Sequence, residues 1–137
     1  MSVFTLPARA RASRPPASVA AIAVLASAGY LMANLLPVFL AAVRTGLGLS
    51  PAAAGAVGTA VLLGSALAGA AATRAAGRAG RARLARVGLL GMVGGFAVAA
   101  LTGSTWLAVT GSVLGGAGSG IALTVATAAM AGTPDPG

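Results

Sequence analysis

Few side chains in this sequence could do chemistry, and they fall into three sets. Ser27, Tyr30 and Asn34 stand three and four residues apart inside an apolar run, a spacing that sets all three on one face of a helix. Thr124, with Thr127 beyond it, sits in a later apolar run. Five arginines, Arg74, Arg78, Arg81, Arg83 and Arg86, crowd into the stretch TRAAGRAGRARLAR that starts at Thr73. The amide and the hydroxyls can hydrogen-bond a solute or a neighbouring helix. The guanidinium groups can bind nucleic acid, form a solvated helix face or anchor the water side between two membrane spans.

The residue types that are missing narrow the choice. The chain has no cysteine, histidine, lysine or glutamate, and Asp135 is its one acid. The usual zinc ligands are therefore gone, and no base stands beside a serine or threonine to take its proton. Neither an enzyme, a metal site nor a cofactor is expected. The net charge of +8 raises nucleic acid as a partner. Binders of single strands pair basic grooves with stacking aromatics. None of the three Phe, one Tyr or one Trp falls inside the arginine stretch, so no nucleic-acid partner is expected.

Composition points to the solvent. Of 137 residues, 58% are hydrophobic and 7% charged, against about 25% charged in a soluble domain. That supply of polar groups cannot cover a water-facing surface, whereas it suits a lipid bilayer. A span needs roughly 20 apolar residues, and four runs qualify, at about 18–43, 51–73, 84–102 and 106–131. The expected fold is an all-α polytopic membrane protein, with a basic tail over 1–17 and a four-helix transmembrane domain over 18–137. Ser50 before Pro51 is a start signal for the second span, a capping hydroxyl followed by proline at the first helical position. A secretory signal is the rival reading of the first run, with Arg9, Arg11 and Arg14 as its basic region and ASA at 26–28 as its cleavage site. The apolar run continues to Val43, longer than such a signal needs, which favours a retained span.

Charge sets the expected orientation. If four spans alternate, Arg9, Arg11, Arg14 and the five clustered arginines share one side, and Arg44 alone takes the other. Cytoplasmic loops are the ones enriched in Arg and Lys. Both termini and a loop at 74–83, part of which can be helical with Arg74, Arg78 and Arg81 on one side, are thus expected in the cytoplasm, with the chain in the inner (plasma) membrane. The same arginines can touch anionic headgroups.

Helices in lipid associate through close backbone approach, which small residues permit. Candidate packing positions are Gly64 with Ala68 and Ser65 with Gly69, then Gly91 with Gly95, Gly111 with Gly115, and Gly116 with Gly120. The run GGAGSG at 115–120 superficially looks like a phosphate-cradling loop, but no strand precedes it and no lysine follows, so a packing face is the expected role. Asn34, with Pro37 three residues on, is expected to look at another helix or a wet cavity, since an amide in hydrocarbon needs a partner. Glycine faces left uncovered would imply further helices as partners.

The order of these features resembles the major facilitator superfamily of transporters. LGLSPAAAGAVGTAVLLGSALAGAAATRAAGRAGRARLARVGLL (47–90) looks like the family's second helix, basic loop and third helix, with Gly69, Gly77, Arg78, Gly80, Arg81 and Arg83 in place of its Gly-Arg loop signature. WLAVTGSVLGGAGSGIAL (106–123) is similar to the glycine-rich fourth helix. The chain departs from the pattern in two places: no aspartate precedes the Gly-Arg pair, and no arginine precedes the glycine run at Thr110–Val113. The family is built of twelve spans with inverted repeats, so the resemblance implies a truncated or incomplete chain matching its first four. It also implies that the first and fourth helices line a path for a small solute, placing Tyr30, Asn34 and Thr124 on it. The function so implied is uptake or efflux by alternating access. The alternative is a small structural four-helix membrane protein acting through helix association.

The charge reading makes a direct prediction. Reporter fusions at Gly80 should read cytoplasm and fusions at Gly46 the far side; the opposite pattern defeats the assignment.

Overall fold

A computed structural model describes residues 16–131, which form four helices: α1 (Pro16–Gly46), α2 (Pro51–Ala79), α3 (Arg81–Leu101) and α4 (Thr105–Ala131). All four are long and apolar enough to cross a bilayer, and no strand occurs among the described residues. This is the all-α, multi-pass architecture that the composition leads one to expect. The basic tail with Arg9, Arg11 and Arg14, and the GTPDPG end with Asp135, lie outside the described residues.

The joints follow from local chemistry. After α1, the N–H groups of Leu47 and Leu49 donate to the carbonyls of Val43 and Arg44, both at 3.0 Å, and Gly48 takes the left-handed turn at φ 63°. Ser50 then caps α2, its Oγ accepting the Ala53 N–H at 3.2 Å, with Pro51 in the first turn where its missing N–H costs nothing. Between α3 and α4, the Thr102 hydroxyl accepts the Ser104 N–H at 3.2 Å, and the Ser104 carbonyl accepts the Ala108 N–H at 2.9 Å.

The segment 74–83 is not a loop. Helix α2 runs on through Arg74 and Arg78 to Ala79, and α3 begins at Arg81, leaving Gly80 as the whole junction. Alanine and arginine are among the strongest helix formers, so only Gly80 stops the helix. Its φ of 78° is a backbone conformation that other residues resist.

Contacts along the helices fix an up-down-up-down register. Helix α4 runs antiparallel to α3, where Gly95 meets Gly111 and Gly115, and Gly88 meets Gly118 and Ala122. It runs parallel to α2, where Gly64 meets Val113, Val61 meets Gly116, Ser65 meets Gly120, and Gly69 meets Thr124. Helix α1 joins α4 at its first half, through Leu25 packed with Ala122, Val125 and Ala126, and through Gly29 under Leu123. Helix α4 is thus the centre, buried at eleven positions from Ala108 to Ala126. One long-range hydrogen bond ties the seams together: buried Ser119 donates from Oγ to the Gly29 carbonyl at 3.0 Å.

The glycines expected to pack all sit in these seams. A Cβ built on Gly95 would lie 2.6 Å from the Gly111 oxygen and closer still to the Gly115 nitrogen. One on Gly111 would meet the Gly95 oxygen at 2.6 Å, and one on Gly115 the Phe96 ring at 2.9 Å. A Cβ on Gly116 would lie 2.7 Å from Val61, one on Gly120 would run into the Ser65 carbonyl, and one on Gly91 would sit 3.6 Å from the Gly118 Cα. The four-helix unit therefore uses these glycine faces internally, and they are not left uncovered for outside partners.

Neighbouring glycines provide a matched test. Gly95→Ala forces α3 and α4 apart and should cost about 1–3 kcal/mol in unfolding followed in detergent micelles. Gly94, with nothing within 4 Å of an added Cβ, should accept alanine with no loss, since alanine is the better helix former by about 1 kcal/mol. Equal effects at the two positions would show that the seam does not govern stability.

Candidate functional site

Three places in the bundle carry groups beyond structural need. The first is the outer face of α1. Gly29 and Leu25 present the small and apolar surface on which α4 lies; Ser27, Tyr30 and Asn34 point elsewhere, and all three are exposed. Tyr30 is 52% exposed. The Asn34 Nδ2 donates to the Tyr30 carbonyl at 3.0 Å, on its own helix, and its remaining donor and acceptor have no partner among the described residues. No helix of the described chain covers this face. Thr124 lies elsewhere, its Oγ1 seated over Gly69 in the α2–α4 seam. No hydrogen bond among the described residues joins it to Tyr30 or Asn34.

The second place was not anticipated from the sequence. Between α1 and α3, over α4, lies a groove of about 800 Å³. Its walls are Leu31, Leu35 and Phe39 on one side and Met92 and Phe96 on the other, with Ser112 on its floor. Phe39 and Phe96 bridge it edge to face, ring centres 5.9 Å apart at 70°. The floor is polar in name only: the Ser112 hydroxyl is buried and donates to the Ala108 carbonyl at 2.7 Å. The groove can hold an apolar group, a lipid chain or another helix, but offers little to orient a polar one. A signal for it did exist. Leu31, Leu35, Val38, Phe39 and Ala42 recur at helical spacing, on a different side of α1 from Leu25 and Gly29.

The third place is the basic end. The register brings Arg74 and Arg78, at the end of α2, beside Arg81, Arg83 and Arg86, at the start of α3, while Arg44 lies at the opposite end of the bundle. All six are exposed. A cavity of about 390 Å³ opens here between α2 and α4, lined by Arg81, Thr73, Thr124 and Thr127 above alanine and valine. Two of the hydroxyls are committed: Thr73 donates to the Gly69 carbonyl at 3.1 Å, and Thr127 to those of Leu123 and Thr124 at 3.0 Å.

The residues grouped as a loop signature thus separate. Gly69 is a buried seam glycine, touching Thr124 and Gly120. Gly77 and Arg78 belong to the last turns of α2, Gly80 is the junction, and Arg81 and Arg83 open α3. Charge density carries no information about where a helix stops. Comparison of the chain with known protein families, curated proteins and solved structures gives no match.

Proposed function

We propose that this chain belongs to a membrane transporter of the major facilitator type, which moves a small solute by alternating access in the inner (plasma) membrane, both termini being cytoplasmic. In this reading the outer face of α1 borders a water-filled path. The observation that supports it is Asn34: an amide in the middle of a membrane helix, turned away from every seam, with hydrogen-bonding capacity left over. Against lipid tails each such unmet group costs several kcal/mol. Polar side chains at membrane depth generally face a cavity, a pathway or another protein surface. Tyr30, one turn earlier, extends the polar strip, whereas Thr124 lies apart from it in the α2–α4 seam.

The alternative, a structural four-helix protein that acts by helix association, draws its support from the groove. With the glycine seams already occupied, the apolar channel between Phe39 and Met92 is the surface that would take a further helix.

The chain has no native cysteine, so single-cysteine variants separate the two readings directly. Asn34→Cys and Tyr30→Cys in membranes should react with a charged, membrane-impermeant thiol reagent. Leu63→Cys and Leu90→Cys, on large exposed side chains of α2 and α3, should not. If Cys at 34 is as inert as Cys at 63 and instead forms a disulfide with a second copy, the water-filled path is wrong and association takes its place.

A further inference from the structure

We infer that the cavity at the basic end is a site for the phosphate of an anionic membrane lipid, with Arg81 as its ionic contact and the Thr124 hydroxyl as its hydrogen-bond donor. The inference stands apart from the transport reading and would hold for either function.

Three observations carry it. The first is charge without a counterpart. Residues 16–131 contain no aspartate or glutamate, so Arg81 has no carboxylate partner among the described residues. It also shares its end of the bundle with four further arginines. A guanidinium is a planar fork suited to phosphate oxygens, and clustered arginines beside a membrane span attract anionic headgroups.

The second is the uncommitted hydroxyl. Of the three threonines in the cavity, Thr73 and Thr127 spend their protons on their own helices. Thr124 makes no side-chain hydrogen bond among the described residues, although it lines the same space as Arg81. A hydroxyl that lines the same cavity as a cation, with its proton free, can complete the coordination of an oxyanion.

The third is the shape. Besides Arg81 and the three threonines, the lining is apolar throughout: Ala72, Ala76, Val125, Ala128 and Ala131. A site for a free anion would be polar throughout, whereas a cation above an apolar slot matches a lipid, with the phosphate at the mouth and the glycerol and first methylenes beneath. The volume of about 390 Å³ accommodates that part of one lipid, while the acyl chains continue along the outside of α2 and α4. The other arginines of the cluster lie outside the cavity lining, so they would raise the local concentration of anionic lipid without holding the bound one.

The test is native mass spectrometry of the whole chain in detergent, titrated with phosphatidylglycerol, with phosphatidylcholine and with inorganic phosphate. One phosphatidylglycerol should bind saturably and in preference to phosphatidylcholine, and millimolar inorganic phosphate should not displace it. Arg81→Gln removes a charge-assisted contact and should weaken binding about tenfold. Arg83→Gln, on the same turn but outside the cavity, should change it by less than about twofold. Thr124→Val should weaken it in the same sense as Arg81→Gln, with helix content unchanged by circular dichroism, and Arg81→Lys should fall between Gln and the parent. Equal losses for Arg81→Gln and Arg83→Gln would overturn the site in favour of a diffuse basic surface. Displacement by inorganic phosphate would overturn the lipid assignment.

Discussion

The constraint on which this bundle depends is the near-contact of two polypeptide backbones. Along α3 and α4, the glycines at 88, 95, 111, 115 and 118 bring carbonyls and amides so close that a single methyl group has no room. In water, two helices would be driven together by hiding leucines. In lipid that drive is absent, because the tails are as apolar as the side chains. Dispersion between closely apposed main chains takes its place, and it falls off steeply with separation. Everything else is placed relative to this seam. Helix α2 lays Val61 and Gly69 on the other side of α4, and α1 reaches it through Gly29 and the Ser119 hydrogen bond. Between α1 and α3, over α4, lies the groove.

The resulting section through the bundle is the reverse of a soluble protein. Its largest fully buried side chains are only Val61 and Ser112, while Leu67, Leu90, Leu101 and Trp106 stand at the surface. Small residues belong inside because backbones must meet there; large ones belong outside because hydrocarbon accepts them without penalty. Polarity obeys the same rule. Ser112 and Ser119, inside, each donate to a carbonyl, and no buried side-chain nitrogen or oxygen among the described residues lacks a partner. Among the described residues, the polar side chains with hydrogen-bonding capacity left over, Tyr30, Asn34, Thr124 and the arginines among them, lie outside the fully buried interior, which is why these positions attract functional readings.

Much of the fold was legible in the chain because two signals are strong. Apolar length marks spans independently of context, and the Ser50–Pro51 pair marks a helix start through its own chemistry. Glycine spacing identified the positions that pack, though not that α4 would use three sides at once. All four spans are similarly apolar, so periodicity alone does not single out the central helix. The junction at Gly80 was hidden by charge. Arginine density suggests a loop, but alanine and arginine continue a helix until a residue with positive φ interrupts it. The groove was equally hard to see, because Leu31 and Phe39 look like any other lipid-facing residues until α3 is known to form the opposite wall. For Asn34 the depth and the helix face are legible from spacing, but an outward face has meaning only in terms of what surrounds it.

The placement of α4 has a consequence for biogenesis. During synthesis α1, α2 and α3 leave the ribosome before the helix that all three lean on, and among themselves they share few contacts beyond Leu40 against Gly58 and the Phe39–Phe96 pair. The first hairpin must therefore persist in the bilayer, or under the care of the insertion machinery, as loosely tethered rods. Tertiary structure condenses in one late event when the glycine-rich helix is released beside them.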